Sequence, residues 1–132
     1  MKNQTNNISF DFDDTLWTDE VESYATELIA QGYIPWIVTA RYEDSSKGYS
    51  VDNSPVYEVA SRLGIPRDRI VFMNHKEKVD YFIENPDFLF HLDDSFFSVV
   101  YPMNNNPKCQ VPAIWYDPIS GWKQKISTYL HK

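Results

Sequence analysis

Short apolar segments alternate with amphipathic ones along most of the chain. Apolar runs at 8–12, 34–38, 70–73, 88–92 and 113–116 have the length of buried β-strands. The segments between the first four runs carry apolar residues every three or four positions, which predicts amphipathic helices. Strands that are joined through helices need right-handed crossovers, and such crossovers produce a parallel sheet. The pattern therefore predicts an α/β fold.

Residue types that cap helices refine these boundaries. Thr18 is a favoured N-cap residue, and acidic residues follow it in the first turn. Ser54, which is followed by a proline, is predicted to cap the second helix. Two further helices are predicted over 76–84 and 122–130. Residues 41–53 show no periodicity, and we expect a polar loop that acts as a partial lid over a site.

Acidic residues follow two of the predicted strands. Asp11 and Asp13 lie at the end of the first strand, and Asp93 and Asp94 follow the fourth. The carboxyl ends of parallel strands meet at one edge of a sheet, where ligands bind. Carboxylates are costly to bury there without a cation or hydrogen-bond donors. Because the cluster offers only oxygen ligands, it predicts a site for a hard cation such as Mg²⁺.

A hydroxyl and two ammonium groups are predicted to reach the same edge. Thr39 ends the second strand, and Lys76 and Lys78 lie near the start of the third helix. Beside a cation, one carboxylate can attack phosphorus to form an aspartyl-phosphate, and a second can act as general acid and then general base. Thr39 and a lysine would hold the phosphoryl oxygens and offset their charge.

Taken together, these elements resemble the haloacid dehalogenase (HAD) superfamily of phosphotransferases. The matching segments are "DFDDT" at 11–15, "WIVT" at 36–39, a helix-initial lysine and "HLDD" at 91–94. The resemblance covers roughly residues 8–116, which is most of the chain. It implies a three-layer, Rossmann-like fold with helices on both faces of the sheet.

The resemblance also implies a role for each aspartate. Asp11 would be the nucleophile and Asp13 the acid/base. Asp11, the backbone carbonyl of Asp13 and Asp93 would ligate Mg²⁺, with Asp94 supporting the ion through water. The aspartate at position 13 indicates a phosphatase, because the dehalogenase branch lacks it.

Two lysines compete for contact with the phosphoryl group. Lys78 directly opens the predicted helix and is favoured over Lys76, which lies in the preceding turn. The tripeptide "TAR", which ends at Arg41, is similar to the Ser/Thr-x-Arg of the 3'-phosphatase domain in polynucleotide kinase-phosphatases. Arg41 is therefore either a substrate phosphate contact or a solvated loop charge.

The spacing of the motifs leaves no room for a cap domain. We expect a disordered leader over 1–7 and a single phosphatase domain over 8–132. Without a cap the site is open, so that large substrates can enter or a neighbouring subunit can cover it.

Composition limits the cellular compartment and the binding partners that we expect. The formal net charge of −7 argues against nonspecific binding to nucleic acid or anionic membranes. A single cysteine rules out an internal disulfide and a cysteine-cluster zinc site, which favours a cytoplasmic protein. No apolar run approaches the ~18 residues of a spanning helix. The expected substrate is a phosphorylated small molecule or nucleotide.

Two other functions remain possible for the same residues, and two other protein classes are excluded. A nucleic-acid or nucleotide 3'/5'-phosphatase is an alternative, which the acidic charge disfavours for nucleic-acid ends. A catalytically silent phosphate-binding or regulatory module of the same fold is another. A P-loop ATPase fails because no Gly-x-x-x-x-Gly-Lys is present. A phosphorelay receiver domain fails because no isolated aspartate ends the third strand. His91 is predicted to be structural.

Overall fold

A computed structural model describes residues 5–43 and 52–130 of this chain. Five strands form one sheet in which every pairing is parallel, in the order β3-β2-β1-β4-β5. The α/β fold with a parallel sheet is thereby confirmed. The strands are β1 (Asn7–Phe10), β2 (Ile34–Thr39), β3 (Ile70–Phe72), β4 (His91–Asp93) and β5 (Ala113–Trp115).

Five helices connect or follow these strands, and none in the described part of the chain is both long and apolar enough to cross a membrane. As predicted, Thr18 caps the first helix, since its side chain accepts the Val21 N–H. In the second helix Asn53 rather than Ser54 occupies the N-cap position, one residue earlier than predicted, and its side chain makes no capping hydrogen bond. The helices are α1 (Asp19–Ala30), α2 (Ser54–Leu63), α3 (Lys78–Glu84), α4 (Tyr101–Asn105) and α5 (Trp122–Ser127).

The predicted starts of α3 and of the fourth strand are wrong. α3 begins at Lys78 rather than at position 76, because Glu77 has extended backbone angles (φ −70°, ψ 124°) and is the N-cap residue. The fourth strand begins at His91 rather than at position 88, because the N–H of Phe88 closes a turn onto Pro86. The short helix α4 was not predicted at all.

The predicted leader of residues 1–7 is wrong at its end. Asn7 pairs with Ile34 in the sheet, and its amide donates to the backbone carbonyl of Asp87 at 3.0 Å. Thr5 donates to the same carbonyl at 3.3 Å. Residues 1–4 lie outside the described residues. At its other end β1 stops at Phe10, because the chain turns at Phe12–Leu16.

Two apolar clusters form the core. Successive strand residues point to opposite faces of a sheet, and accordingly Ile37 belongs to one cluster and Val38 to the other. The first cluster takes its helical residues from α1, α2 and α5, and the second from α3 and α4. The helical residues of the core are therefore divided between two apolar clusters.

The strand order fixes where a ligand site can form. The chain continues from β1 to β2 on one side, whereas β4 pairs with β1 on the other. Crevices beyond the carboxyl ends of strands open at such a switch point. Asp11 follows β1, and its N–H donates to Leu92 of β4 at 2.9 Å. The fold thus brings the ends of these two strands together.

Candidate active site

Asp11 lies at the carboxyl end of the central strand and is only 6 % exposed. Its Oδ1 accepts a hydrogen bond from the Lys78 ammonium at 2.7 Å, and its Oδ2 accepts one from the Thr15 hydroxyl at 3.2 Å. Burial raises the pKa of this carboxyl well above its ordinary value, Lys78 opposes the shift, and the charge of Asp93 adds to it. The surroundings of Asp11 therefore disfavour its ionised form.

Lys78 joins this carboxylate to a second one. Its Nζ lies 2.7 Å from Asp11 Oδ1 and 2.7 Å from Asp93 Oδ2, and the side chain is 4 % exposed. Burial alone would lower the pKa of Lys78, but the two carboxylates raise it above its ordinary value. The ammonium is therefore charged, and it is shared between the ends of β1 and β4.

Asp93 is held by several donors. Its Oδ2 accepts from Lys78 and from the Nε2 of His91 at 2.7 Å, and its Oδ1 accepts from the Ser95 N–H at 3.0 Å. Burial alone would raise the pKa of Asp93, but the hydrogen bond from His91 and the charge of Lys78 lower it to about 2. The residue is an ionised carboxylate within the protein interior.

Three aspartates form a group with the composition of a cation site. Asp11, Asp93 and Asp94 each offer one carboxylate oxygen, and these atoms lie within 4.8 Å of one another. The Thr15 hydroxyl links the group, because it is 3.2 Å from Asp11 Oδ2 and 3.3 Å from Asp94 Oδ1. Hard oxygen ligands of this kind fit a cation such as Mg²⁺.

Asp13 lies beside this group, and its carboxylate is engaged elsewhere. Arg41 donates to it in a bidentate pair, from Nη2 at 2.8 Å and from Nε at 2.9 Å. The guanidinium also donates to the carbonyl of Asp52 and stacks over the rings of Phe12 and Trp17, at 5.2 and 5.7 Å from their centroids. These contacts fix the guanidinium, and Arg41 in turn holds the Asp13 carboxylate in place.

Asp11, Asp13 and Asp94 line a cavity of about 400 Å³, whereas Asp93, which is 1 % exposed, is not among its lining residues. Both candidate lysines line it, but Lys78 is buried at its base whereas Lys76 is exposed. Neither Thr39 nor Arg41 is among its lining residues. Lining residues include Asp11, Asp13, Asp14, Ala40, Asp94 and Ser98.

The remaining predicted positions follow from this geometry. Thr39 is fully buried at the end of β2, where its hydroxyl accepts the Arg41 N–H at 3.3 Å. The prediction that Arg41 binds substrate stays a prediction, and its pairing with Asp13 favours a different role. Most of the predicted lid over 41–53 lies outside the described residues, since positions 44–51 are not among them.

Sequence reasoning gave no contact role to Thr15, although this residue belongs to the "DFDDT" segment, and it did not single out Ser9. Thr15 connects two aspartates, and Ser9 hydrogen-bonds to the ring of His91 at 2.7 Å. His91 is fully buried, in agreement with its predicted structural character, but it also contacts the site through Asp93. The contact between Ser9 and His91 could have been found by predicting that β1 pairs with β4, because the two residues lie directly opposite each other in that register.

Comparisons with protein-family models, with curated proteins and with solved structures each found no match for this chain. The functional argument therefore rests on the residues themselves.

Proposed function

We propose that this chain is a Mg²⁺-dependent phosphomonoester hydrolase of the HAD type, working through an aspartyl-phosphate. The observation that carries the proposal is the buried Asp11 carboxylate at the end of the central strand, paired with Lys78 and grouped with two further aspartates. The separation of the helical side chains into two clusters supports a three-layer, Rossmann-like arrangement without a cap domain.

Asp11 is the nucleophile in this proposal. A carboxylate oxygen forms a bond to phosphorus while the bond from phosphorus to the leaving oxygen breaks. Asp13 donates a proton to that leaving oxygen and later takes one from the water that cleaves the acyl-phosphate. Lys78, which already holds Asp11 Oδ1 at 2.7 Å, offsets negative charge as the phosphoryl group arrives.

Asp11, Asp93 and Asp94 would hold Mg²⁺ in this site, together with the backbone carbonyl of Asp13. When bound, the cation neutralises clustered carboxylates and polarises a phosphoryl oxygen. His91 and Lys78 keep Asp93 ionised, which is the form that binds a cation. The donor set consists of carboxylate oxygens with no thiolate, which suits a hard cation, and Asp11 and Asp93 are buried whereas Asp94 is partly exposed.

Turnover of p-nitrophenyl phosphate by the purified chain tests the proposed function. We expect hydrolysis that requires Mg²⁺, stops on addition of a chelator and returns when Mg²⁺ is restored. Calorimetry on the same preparation measures Mg²⁺ binding. Binding of Mg²⁺ without turnover of this substrate or of a panel of phosphorylated metabolites and nucleotides would instead favour a silent phosphate-binding module. Absence of both would contradict the proposed site.

Arg41 should affect turnover through Asp13 rather than through the phosphate. Lysine cannot reproduce the bidentate pair, so Arg41→Lys should loosen the proposed acid. We expect a larger loss of kcat on an alkyl phosphate than on p-nitrophenyl phosphate, because only the poor alkoxide leaving group needs a proton donor. Steady-state kinetics on both substrates measure the difference.

A double-mutant cycle provides the control. Asp13→Asn and Arg41→Lys should be strongly non-additive if Arg41 works through Asp13. Additive effects, with KM raised equally on both substrates, would place Arg41 in contact with the phosphate, which is one of the two roles that the sequence left open.

A further inference from the structure

A hydrogen-bonded chain leads from the protein interior to the candidate site. Ser9 of β1 and His91 of β4 are both 0 % exposed, and neither is among the residues that line the cavity. Ser9 Oγ lies 2.7 Å from His91 Nδ1, and His91 Nε2 lies 2.7 Å from Asp93 Oδ2. The proposed reaction gives Ser9 no task and gives His91 only that of keeping Asp93 ionised, although hydroxyls and imidazoles are costly to bury unless they serve as partners.

The direction of these hydrogen bonds follows from what each group can do. Both oxygens of Asp93 accept from groups that can only donate, Oδ2 from the Lys78 ammonium and Oδ1 from the Ser95 N–H, so His91 donates to this carboxylate from Nε2. The Ser9 hydroxyl can donate or accept, and it therefore satisfies Nδ1 in either protonation state of the ring. The Nε2–H bond to Asp93 consequently does not depend on whether the imidazole is charged.

Asp93 is held by this bond in one orientation. Its Oδ2 accepts from both His91 and Lys78, each at 2.7 Å, whereas its Oδ1 accepts from the Ser95 N–H at 3.0 Å. Oδ2 is therefore the more fully occupied oxygen among these described contacts. Without His91, Oδ2 would keep only one of its two donors, and the carboxylate could turn about its Cβ–Cγ bond away from this orientation.

We propose that Ser9 and His91 are positioning residues that hold the Asp93 carboxylate in the orientation needed to bind a divalent cation. The proposal rests on the proposed function only in requiring that a cation binds to the aspartate group. Residues that hydrogen-bond to a metal ligand orient that ligand, and they change metal affinity without contacting the metal.

Two substitutions of the same histidine separate positioning from packing. The amide of Asn reaches the place of Nδ1 and can pair with Ser9, whereas the longer Gln places its amide nitrogen near Nε2 and can donate to Asp93. Both variants lose the ring packing against Phe82, whose centroid lies 4.8 Å away. A merely structural histidine would therefore make the two variants alike.

Mg²⁺ binding by calorimetry on folded protein is the first measurement. We expect His91→Asn to weaken Mg²⁺ binding by about 10–100-fold, and His91→Gln to stay within a few-fold of the wild type. Ser9→Ala should cause a smaller loss, because it removes only the second link in the chain. Equal Mg²⁺ affinity in the Asn and Gln variants would overturn the inference, whatever their stability.

A measurement on the wild-type protein covers the case in which the variants do not fold. Long-range ¹H–¹⁵N NMR correlations report which ring nitrogen of His91 carries a proton, and the chain has only three histidines to assign. A protonated Nε2 is expected, and an Nε2 without a proton would overturn the inference. Wild-type protein that binds no Mg²⁺ would reject the proposed function and, with it, the role of His91 toward a cation.

Discussion

Replacing Asp11 with asparagine should reduce phosphomonoester turnover by at least about 10³-fold. The substitution keeps the size and shape of the side chain but removes the negative oxygen that attacks phosphorus. The loss should appear in kcat for aryl and alkyl phosphates alike, because every substrate passes through the same covalent step. Steady-state kinetics at saturating Mg²⁺ measure it.

The surrounding contacts predict that Asp11→Asn folds normally. The Asn oxygen can accept from Lys78 as Oδ1 does now, and its amide can donate to the Thr15 hydroxyl. That hydroxyl is then free to donate to Asp94, which lies 3.3 Å away. Because burial raises the pKa of Asp11 well above its ordinary value, its ionised form costs folding free energy at neutral pH. The metal-free variant should therefore be at least as stable as the wild type.

Asp14→Asn is the matched control. Asp14 lines the same cavity and carries the same charge, but it is exposed and has a φ of 59°, which asparagine tolerates. We expect turnover within a few-fold of the wild type. Similar losses in the Asp11 and Asp14 variants would show that the cavity needs negative charge in general, and Asp11 would then have no claim to be the nucleophile.

The sequence was sufficient to predict which residues end the strands. Asp11 and Asp93 follow apolar runs, and parallel strands bring their ends to one edge, so their meeting around one site required no knowledge of side-chain contacts. Lys78 could be favoured over Lys76 because it opens an amphipathic segment. In the structure Lys78 is the first residue of the helix, because the backbone of Glu77 before it is extended.

Contacts between side chains from distant segments could not be predicted in the same way. Arg41 follows a strand and has no periodic neighbour that would reveal its bidentate pair with Asp13, 28 positions away. His91 looks like any buried strand residue until the β1–β4 register places Ser9 opposite it. Helix α4 escaped prediction because its "YPMNN" sequence is poor in helix formers, although Met103 anchors it in the core.

The candidate site concentrates charge where folding alone would avoid it. Asp11 and Asp93 are nearly as buried as the apolar core, and the single ammonium of Lys78 lies between them. Replacing such a group by apolar residues often leaves a protein equally or more stable, so stability alone does not explain its presence. A charge arrangement of this kind is typical of a site in which ions or charged groups bind.

Lys78→Met should have the largest effect on stability and should also remove turnover. Methionine fills similar space, but it leaves two buried carboxylates facing each other without a cation. Breaking a buried ion pair in this way costs about 3–5 kcal/mol of unfolding free energy. We expect that loss in metal-free protein from urea denaturation, together with a fall in kcat of about 10²-fold or more, since one charge-stabilising group is missing from the transition state. Lys76→Met is the control, because this exposed lysine lines the same cavity.

The pH and metal dependence of the Lys78 variant distinguish lost charge pairing from lost packing. Lys78 lowers the pKa of Asp11, so removing it should raise that pKa further above the unfolded value. The folded state then binds more protons than the unfolded state, and stability must increase as the pH falls. The stability deficit should therefore be larger at about pH 8 than at about pH 5, and Mg²⁺ should recover part of it by replacing the missing positive charge. A stability deficit that changes with neither pH nor Mg²⁺ would mean that Lys78 contributes through packing alone. A larger loss of turnover in Lys76→Met than in Lys78→Met would assign the phosphate-binding role to Lys76.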